Sequence, residues 1–327
     1  MSPALASGTL DAGHHLILGG CGFIGRHVAA LLARIGHRVV LADRAAPVWT
    51  PPADEEGRIE WRPLDICTAD WDALLANAAV VHHYAWSSLP ASANANPSGD
   101  LTDNVSAMLS MLDALRRRPG PRVVFTSSGG TVYGKLHRVP VPEDHPLAPI
   151  TAYGAGKVTA EIYLGLSRAL HGFDCRVARI ANPYGAGQDL TRGLGAVTTF
   201  LHRALTGQPI VIWGDGELVR DYVHVADVAA ALVTLALAPR QEGVCTFNIG
   251  SGSGVSLNRI VAEIEHVLGR RLDVRREEAR PFDVPVSVLD ISRARDVLGW
   301  TPRLTFADGM ARTIADLASQ TQLSTLH

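Results

Sequence analysis

The chain has 327 residues, enough for one large or two modest domains. Hydrophobic residues make up 47% and charged residues 19%, the balance of an ordinary folded protein, which excludes disorder over most of the length. A formal net charge of −2 and the lack of any apolar run long enough to span a bilayer point away from nucleic acid and membranes as partners. Residues 1–13 lack the basic start and apolar stretch of a signal peptide, so they read as a flexible leader and the cytoplasm is the expected compartment.

The apolar run HHLILGG (14–20) ends in glycines and is followed by helical spacing over Ile24 to Ile35, then by RVVLAD ending at Asp43. Strand, glycine turn, helix, strand is the βαβ unit of a parallel sheet. The alternation continues through IEWRPLD, AVVHHYA, RVVFTSS and DCRVARIAN, with helical stretches at Asp100 to Arg118 and Ala152 to Leu170. Continuous Val/Ile/Leu runs suit strands buried on both faces, so the expected fold is α/β, a doubly wound parallel sheet over 14–182. Beyond 183 the strict alternation lapses. PIVIWGDGE, a helix over Val225 to Leu237, FNIG, and a helix over Leu257 to Leu268 suggest a smaller α/β lobe over 183–327, with some later segments returning to the first domain.

Gly19, Gly22, Phe23, Ile24 and Gly25 sit between the first strand and the first helix. Glycines there permit a tight turn and let a pyrophosphate approach the N–H groups of the helix N-terminus. Asp43 ends the second strand about twenty residues on, where an acid holds the adenosine ribose hydroxyls. A carboxylate at that point repels a 2′-phosphate, which favours NAD over NADP, although Arg44 follows directly.

Tyr153 and Lys157 lie at i and i+4 and so share one helix face. An ammonium, with the positive nicotinamide of bound NAD⁺, lowers a phenol pKa from about 10 toward neutrality, and the tyrosinate can take a proton from a sugar hydroxyl.

The spacing Gly-x-x-Gly-x-x-Gly, followed by Tyr-x-x-x-Lys, resembles the extended subfamily of the short-chain dehydrogenase/reductase superfamily. The resemblance implies that Asp65 and Ile66 lie near the adenine and that Ala85 and Asn104 line the cofactor cleft. It also implies a catalytic hydroxyl at the end of the strand carrying Thr126-Ser127-Ser128-Gly129-Gly130-Thr131-Val132-Tyr133-Gly134. Aligned on Val-Tyr-Gly, the usual Ser/Thr position falls on Gly129, so Thr131 or Ser128 must supply it, with Thr131 preferred; Ser127 reads equally as a plain strand end. Dehydratases of this superfamily carry Asp and Glu just before Val-Tyr-Gly. Gly130 and Thr131 stand there instead, and neither protonates a leaving hydroxyl at neutral pH, so elimination is disfavoured.

The second half resembles the nucleotide-sugar epimerase branch almost continuously. Arg179-Ile180-Ala181-Asn182-Pro183-Tyr184-Gly185 implies that Asn182 holds a substrate diphosphate. Trp213-Gly214-Asp215-Gly216 through Arg220-Asp221-Tyr222-Val223-His224 gives the same role to Arg220. Arg280-Pro281-Phe282-Asp283 implies a second guanidinium on the diphosphate, with Asp283 on a ribose or a neighbouring chain. Forked guanidinium donors suit a diphosphate. The signature Leu298-Gly299-Trp300-Thr301-Pro302 looks structural.

Four cysteines without Cys-x-x-Cys spacing, and His82, His83 and His224 without acids at ligand spacing, give no reason to expect a metal. The expected activity is C4 epimerisation of a UDP-hexose by internal redox with retained NAD. A ketosugar reductase or dehydrogenase of the same fold is the alternative, and a non-catalytic dinucleotide-binding protein is a remote one. The resemblance also implies a homodimer paired through the helices at Asp100 to Arg118 and Ala152 to Leu170.

Overall fold

The first apolar runs become strands at the centre of a sheet because both of their faces are covered. In the computed structural model, which describes residues 13–49, 51, 55–189, 195–240, 242, 243, 245–278 and 284–324, six strands precede residue 181. They are β1 (His14–Leu18), β2 (Val39–Asp43), β3 (Ile59–Pro63), β4 (Ala78–His83), β5 (Arg122–Ser128) and β6 (Cys175–Ile180). Seven follow: β7 (Asn182–Tyr184), β8 (Ile210–Trp213), β9 (Val219–His224), β10 (Thr246–Ile249), β11 (Gly254–Ser256), β12 (Val274–Glu277) and β13 (Val286–Ser287). The main sheet is parallel and seven-stranded, in the order β10-β6-β5-β4-β1-β2-β3. The strand order reverses between β1 and β4, which is the switch point where doubly wound sheets bind ligands at the carboxyl ends of their strands. Its edge strand β10 comes from the FNIG segment, far along the chain.

The chain packs as two compact units. One holds residues up to Ser127 with Pro149–Ala178 and Leu232–Thr246; the other holds Ser128–Ala148, Arg179–Ala231 and the residues from Phe247 on.

In the first unit Leu16, Leu18, Val40, Val81, Met108, Met111, Phe125, Leu164 and Val177 form one buried cluster. The helix Phe23–Arg34 buries Gly25, Val28, Ala29, Leu32 and Ala33, a stripe at helical spacing. The helix Ala152–His171 starts where the Thr151 hydroxyl accepts the Gly154 N–H at 3.1 Å, and it ends at Gly172 in the left-handed conformation. The stretch expected as a single helix from Asp100 to Arg118 is continuous but not uniform: a π-helical turn over Leu101–Ser106 leads into the α-helix Ala107–Arg117. His15 and His82 are buried side by side, with Nδ1 to Nε2 at 2.9 Å, and His82 Nδ1 lies 2.7 Å from the Tyr84 hydroxyl.

In the second unit β9 is central. It lies between β11, antiparallel to it, and β13, parallel to it, and further along pairs parallel with β7; β8 and β12 form a separate parallel ribbon. Tyr184, Phe200, Leu201, Ile210, Tyr222, Ile260, Ile264 and Met310 fill its core. The buried carboxylate of Asp221 organises this unit. It accepts the Ser251 N–H at 2.7 Å, the Ser251 hydroxyl at 2.6 Å, the Leu289 N–H at 3.2 Å and the Gly252 N–H at 3.3 Å. Burial pushes its carboxyl up, and these donors oppose that by favouring the ionised form.

Two outcomes follow. Burial pushes the imidazoles of His15 and His83 down to about 3, and that of His82 well below its ordinary 6.5. The unfolded chain therefore binds more protons below pH 6.5, and stability, fully present above that value, falls as the pH drops toward 3. At pH 5 the fully buried His83 alone costs about 2 kcal/mol, which a denaturation series from pH 8 to pH 5 reads directly. Asp221→Ala orphans four donors and lowers stability by about 3 kcal/mol in equilibrium denaturation.

Candidate active site

The glycine turn of the first unit is built by exclusion. A Cβ on Gly25 would lie 2.4 Å from the Gly19 carbonyl, and one on Gly20 would lie 2.8 Å from Leu41 Cδ2. Gly19 has φ +77°, and a Cβ there would strike the Ala85 nitrogen at 2.7 Å. The turn between β1 and the helix Phe23–Arg34 is thus pressed between β2 and the chain leaving β4. The helix opens at Gly22 with no side-chain cap, so the N–H groups of its first turn remain available for an anion, and Phe23 and Ile24 are the half-buried residues that begin it. Asp43 is oriented by the turn itself: its Oδ2 accepts the Cys21 N–H at 3.1 Å and its Oδ1 the Ala45 N–H at 3.3 Å. Its remaining lone pairs suit ribose hydroxyls. This uncapped, side-chain-free cradle with a fixed carboxylate fits an adenine dinucleotide.

The other residues expected along the cofactor divide into two kinds. Asp65 accepts the Cys67 N–H at 2.9 Å, Ile66 packs half-buried on the core, and Ala85 donates its N–H to Leu18 O at 2.9 Å. Asn104, by contrast, is fully buried and spends its amide inside the protein. Its Nδ2 donates to the Asp100 carbonyl and carboxylate, both at 2.9 Å, and its Oδ1 accepts the Ser87 N–H at 2.8 Å. It therefore anchors the loop after β4. The aspartate it grips, Asp100, was not singled out in the sequence; its signal was the i, i+4 spacing to Asn104.

Lys157 is 3% exposed, and its ammonium donates to the Thr126 carbonyl at 2.8 Å. Desolvation pulls its pKa down to about 7, against the attraction of Asp100 and Glu161. Tyr153 is half-buried, in the first turn of the same helix, and Lys157 Nζ lies 5.6 Å from its ring centroid. Burial, and then the Asp100 carboxylate, push its phenol up to about 12; the lowering expected from the sequence combined the ammonium with the positive charge of the nicotinamide. Desolvation disfavours the phenolate, and positive charge beside the hydroxyl favours it. Ser127 donates its hydroxyl to Glu161 and is committed to the strand end.

In the second unit the loop after β5 presents both candidate hydroxyls. The Thr131 Oγ1 is buried with no hydrogen-bond partner among the described residues, and Ser128 is half-buried, with its carbonyl accepting the Thr131 and Val132 N–H groups. Gly129 has no room for a side chain: a Cβ would lie 2.5 Å from Leu289 Cδ1. Tyr133 is structural, donating to Asn248 Oδ1 at 2.6 Å and accepting from Arg179 at 3.0 Å. Asn182 pairs in register with Tyr222, two residues from Arg220, so the β7–β9 ladder brings Asn182 and Arg220 together. Asn182 Nδ2 donates to the Asp221 carbonyl at 2.8 Å, and Arg220 Nη1 donates to the carbonyls of Val219 at 2.9 Å and Val284 at 2.6 Å. These bonds fix the Arg220 head by one of its nitrogens. Arg280 and Asp283 lie outside the described residues, as do residues 1–12 of the expected leader.

Comparison with known proteins agrees with this geometry. Residues 15–250 match the NAD dependent epimerase/dehydratase family. The chain is 36% identical over 315 residues to a UDP-glucose 4-epimerase of Mycolicibacterium smegmatis, covering 94% of this chain and 99% of that protein. It is 33% identical over 242 residues to a dTDP-4-dehydro-6-deoxyglucose reductase of Escherichia coli, covering 74% and 75% of the two. Among solved structures, the UDP-glucose 4-epimerase of Thermotoga maritima with UDP-glucose superposes with a TM-score of 0.85 at 29% identity, over 94% of this chain and 99% of that one. With a dinucleotide cradle, a Tyr–Lys pair on one helix face and a match over most of its length, the chain belongs to the NAD dependent epimerase/dehydratase family.

Proposed function

We propose that this chain is an NAD-dependent 4-epimerase of a UDP-hexose, working through a transient 4-keto sugar. The observation that carries the reading is the pairing of Tyr153 with a buried ammonium in the unit that holds the dinucleotide cradle, while Gly130 and Thr131 stand where elimination needs acids. Bound NAD⁺ supplies the acceptor and donor of a hydride. Tyr153 takes the proton of the 4-hydroxyl at its phenolic oxygen and returns it to that same sugar oxygen once the ketone has presented its other face to the returning hydride. Lys157 supplies positive charge toward that phenol and holds a ribose hydroxyl. Thr131 or Ser128 donates its unspent hydroxyl to the reacting oxygen. Asn182 and Arg220, with Arg280, hold the diphosphate, and residues 183–327 form most of the substrate lobe. Because the hydride returns to the same sugar, net redox is zero.

The similarity to a dTDP-ketosugar reductase keeps a second reading in view, with net turnover of NAD(P)H on the same site. Asp43 supports retained NAD rather than exchange of NADPH.

No helix among the described residues is long and apolar enough to cross a membrane. The proposal places the enzyme in the cytoplasm, consistent with four unbridged thiols. It also makes the enzyme a homodimer. The helix Ala152–His171 exposes Ile162 at 61%, Leu166 at 46% and Leu170 at 66%, one apolar face at helical spacing, which supports a second copy as its cover.

Proton NMR of the purified protein with UDP-glucose, UDP-N-acetylglucosamine or UDP-glucuronate, with no nicotinamide added, tests the reaction. The C4 epimer of one of them is expected, and Tyr153→Phe lowers the rate at least a hundredfold. No change in any tube, with turnover only on a keto-sugar plus NAD(P)H, sinks the epimerase reading. For assembly, sedimentation at micromolar concentration is expected to give a dimer mass, and Leu166→Arg to give a monomer.

A further inference from the structure

Trp86 follows Ala85 in the loop after β4 and has no role in the scheme above. Its indole is half-buried against the core of the first unit, and the Lys157 ammonium sits 3.8 Å from the centroid of its ring. That is well inside the ~6 Å within which an aromatic face attracts a cation, and tryptophan is the strongest of the aromatic partners. Phe125 presents a second ring at 4.8 Å, while the ammonium's hydrogen bond goes to a neutral carbonyl, that of Thr126. Trp86 also meets Tyr153 edge to face, with centroids 6.1 Å apart and planes at 72°. Room for the indole is made by a glycine: a Cβ on Gly156 would lie 3.1 Å from Trp86 Cζ2 and 3.1 Å from Asp100 Oδ2.

We propose that Trp86 is a positioning residue of the reaction, whose indole face keeps Lys157 charged and in place beside Tyr153; the inference rests on reading those two residues as the reacting pair.

The other charged groups around Lys157 are already engaged or distant in their effect. Asp100 accepts hydrogen bonds from Asn104 and Ser88, and Glu161 accepts one from Ser127. His83, fully buried on β4, is held neutral by desolvation and then by the Lys157 charge itself. Tyr153 is neutral in the protein alone, with its phenol pushed up. The ammonium therefore resists its desolvation through the charge of two carboxylates, one carbonyl and the aromatic faces, of which Trp86 is the nearest. Removing that face leaves the desolvation in place and weakens what opposes it, so Lys157 loses its proton at lower pH.

The composition of the chain allows this to be read at a single atom. Lysine occurs only at positions 135 and 157, and Lys135 is exposed. Protein labelled with ¹³C at the lysine ε-carbon gives two signals, and a pH titration of the Lys157 signal reports its ammonium directly, with Lys135 as the internal reference. In Trp86→Leu the Lys157 midpoint is expected to fall by about one pH unit, a tenfold loss of proton affinity. In Trp86→Phe, which keeps a weaker face, a smaller fall is expected. The alkaline limb of the rate profile moves down with the midpoint, whereas a purely structural role for Trp86 would lower the rate at every pH alike. A midpoint that stays or rises in Trp86→Leu, with the Lys135 signal and circular dichroism of the wild type, overturns the proposal. Should that variant not fold, an unmoved midpoint in Trp86→Phe does so instead. The titration needs no turnover. If the wild type epimerises no UDP-sugar, the reaction reading fails while the charge-holding role is still decided. If it epimerises and the midpoint does not move, only the role of Trp86 falls.

Discussion

An ammonium kept away from water is the demand around which the first unit is arranged. Isolated charges are expensive to bury, and such a group survives only where its surroundings compensate for lost hydration. Lys157 draws its compensation from separate elements. The end of β5 contributes the Thr126 carbonyl, the loop after β4 an indole face, and the π-helical turn and its approach a carboxylate. Asn104 locks that carboxylate to the loop that carries the indole, through Asp100 on one side and Ser87 on the other. Displacing any one of these elements disturbs the others, so the charge and the local fold specify each other.

The glycine turn works under a complementary restriction. Its backbone must come close enough to β2 and to Ala85 that side chains at Gly19, Gly20 or Gly25 collide with main chain. What remains is a surface of N–H groups, plus one carboxylate tethered to the turn by the Cys21 N–H. The same economy of space reappears in the second unit. There Leu289 fills the place where relatives are expected to carry a hydroxyl, and Gly129 closes the contact. Two residues on, the Thr131 hydroxyl is buried with no hydrogen-bond partner among the described residues.

Much of this was legible in the residues. Periodicity located the strands of the main sheet and the helix bearing Tyr153 and Lys157, because central parallel strands are continuously apolar and amphipathic helices are not. The glycine spacing and Asp43 were legible because steric exclusion and strand ends are local matters. Features that depend on contacts distant in sequence were not. The resemblance implied that Asn104 lines the cofactor cleft, but not that its amide ties Asp100 to Ser87. Nor did it show how strongly burial pushes the Tyr153 phenol up, against which the ammonium and the nicotinamide charge have to work. Asp221 sits inside a recognised motif, but its four donors arrive from residues 251–252 and 289, which no spacing rule connects. The edge position of β10 depends on chain return, which periodicity does not encode.

Gly156 and Trp86 occupy one shared volume from two distant points of the chain. A side chain at 156 asks the indole to retreat, and a small residue at 86 leaves a hollow beside a buried charge. Neither position can drift alone without passing through an overpacked or an underpacked intermediate. Packing at the two positions is therefore coupled, and any side chain at 156 bears on the electrostatics of Lys157 through the indole.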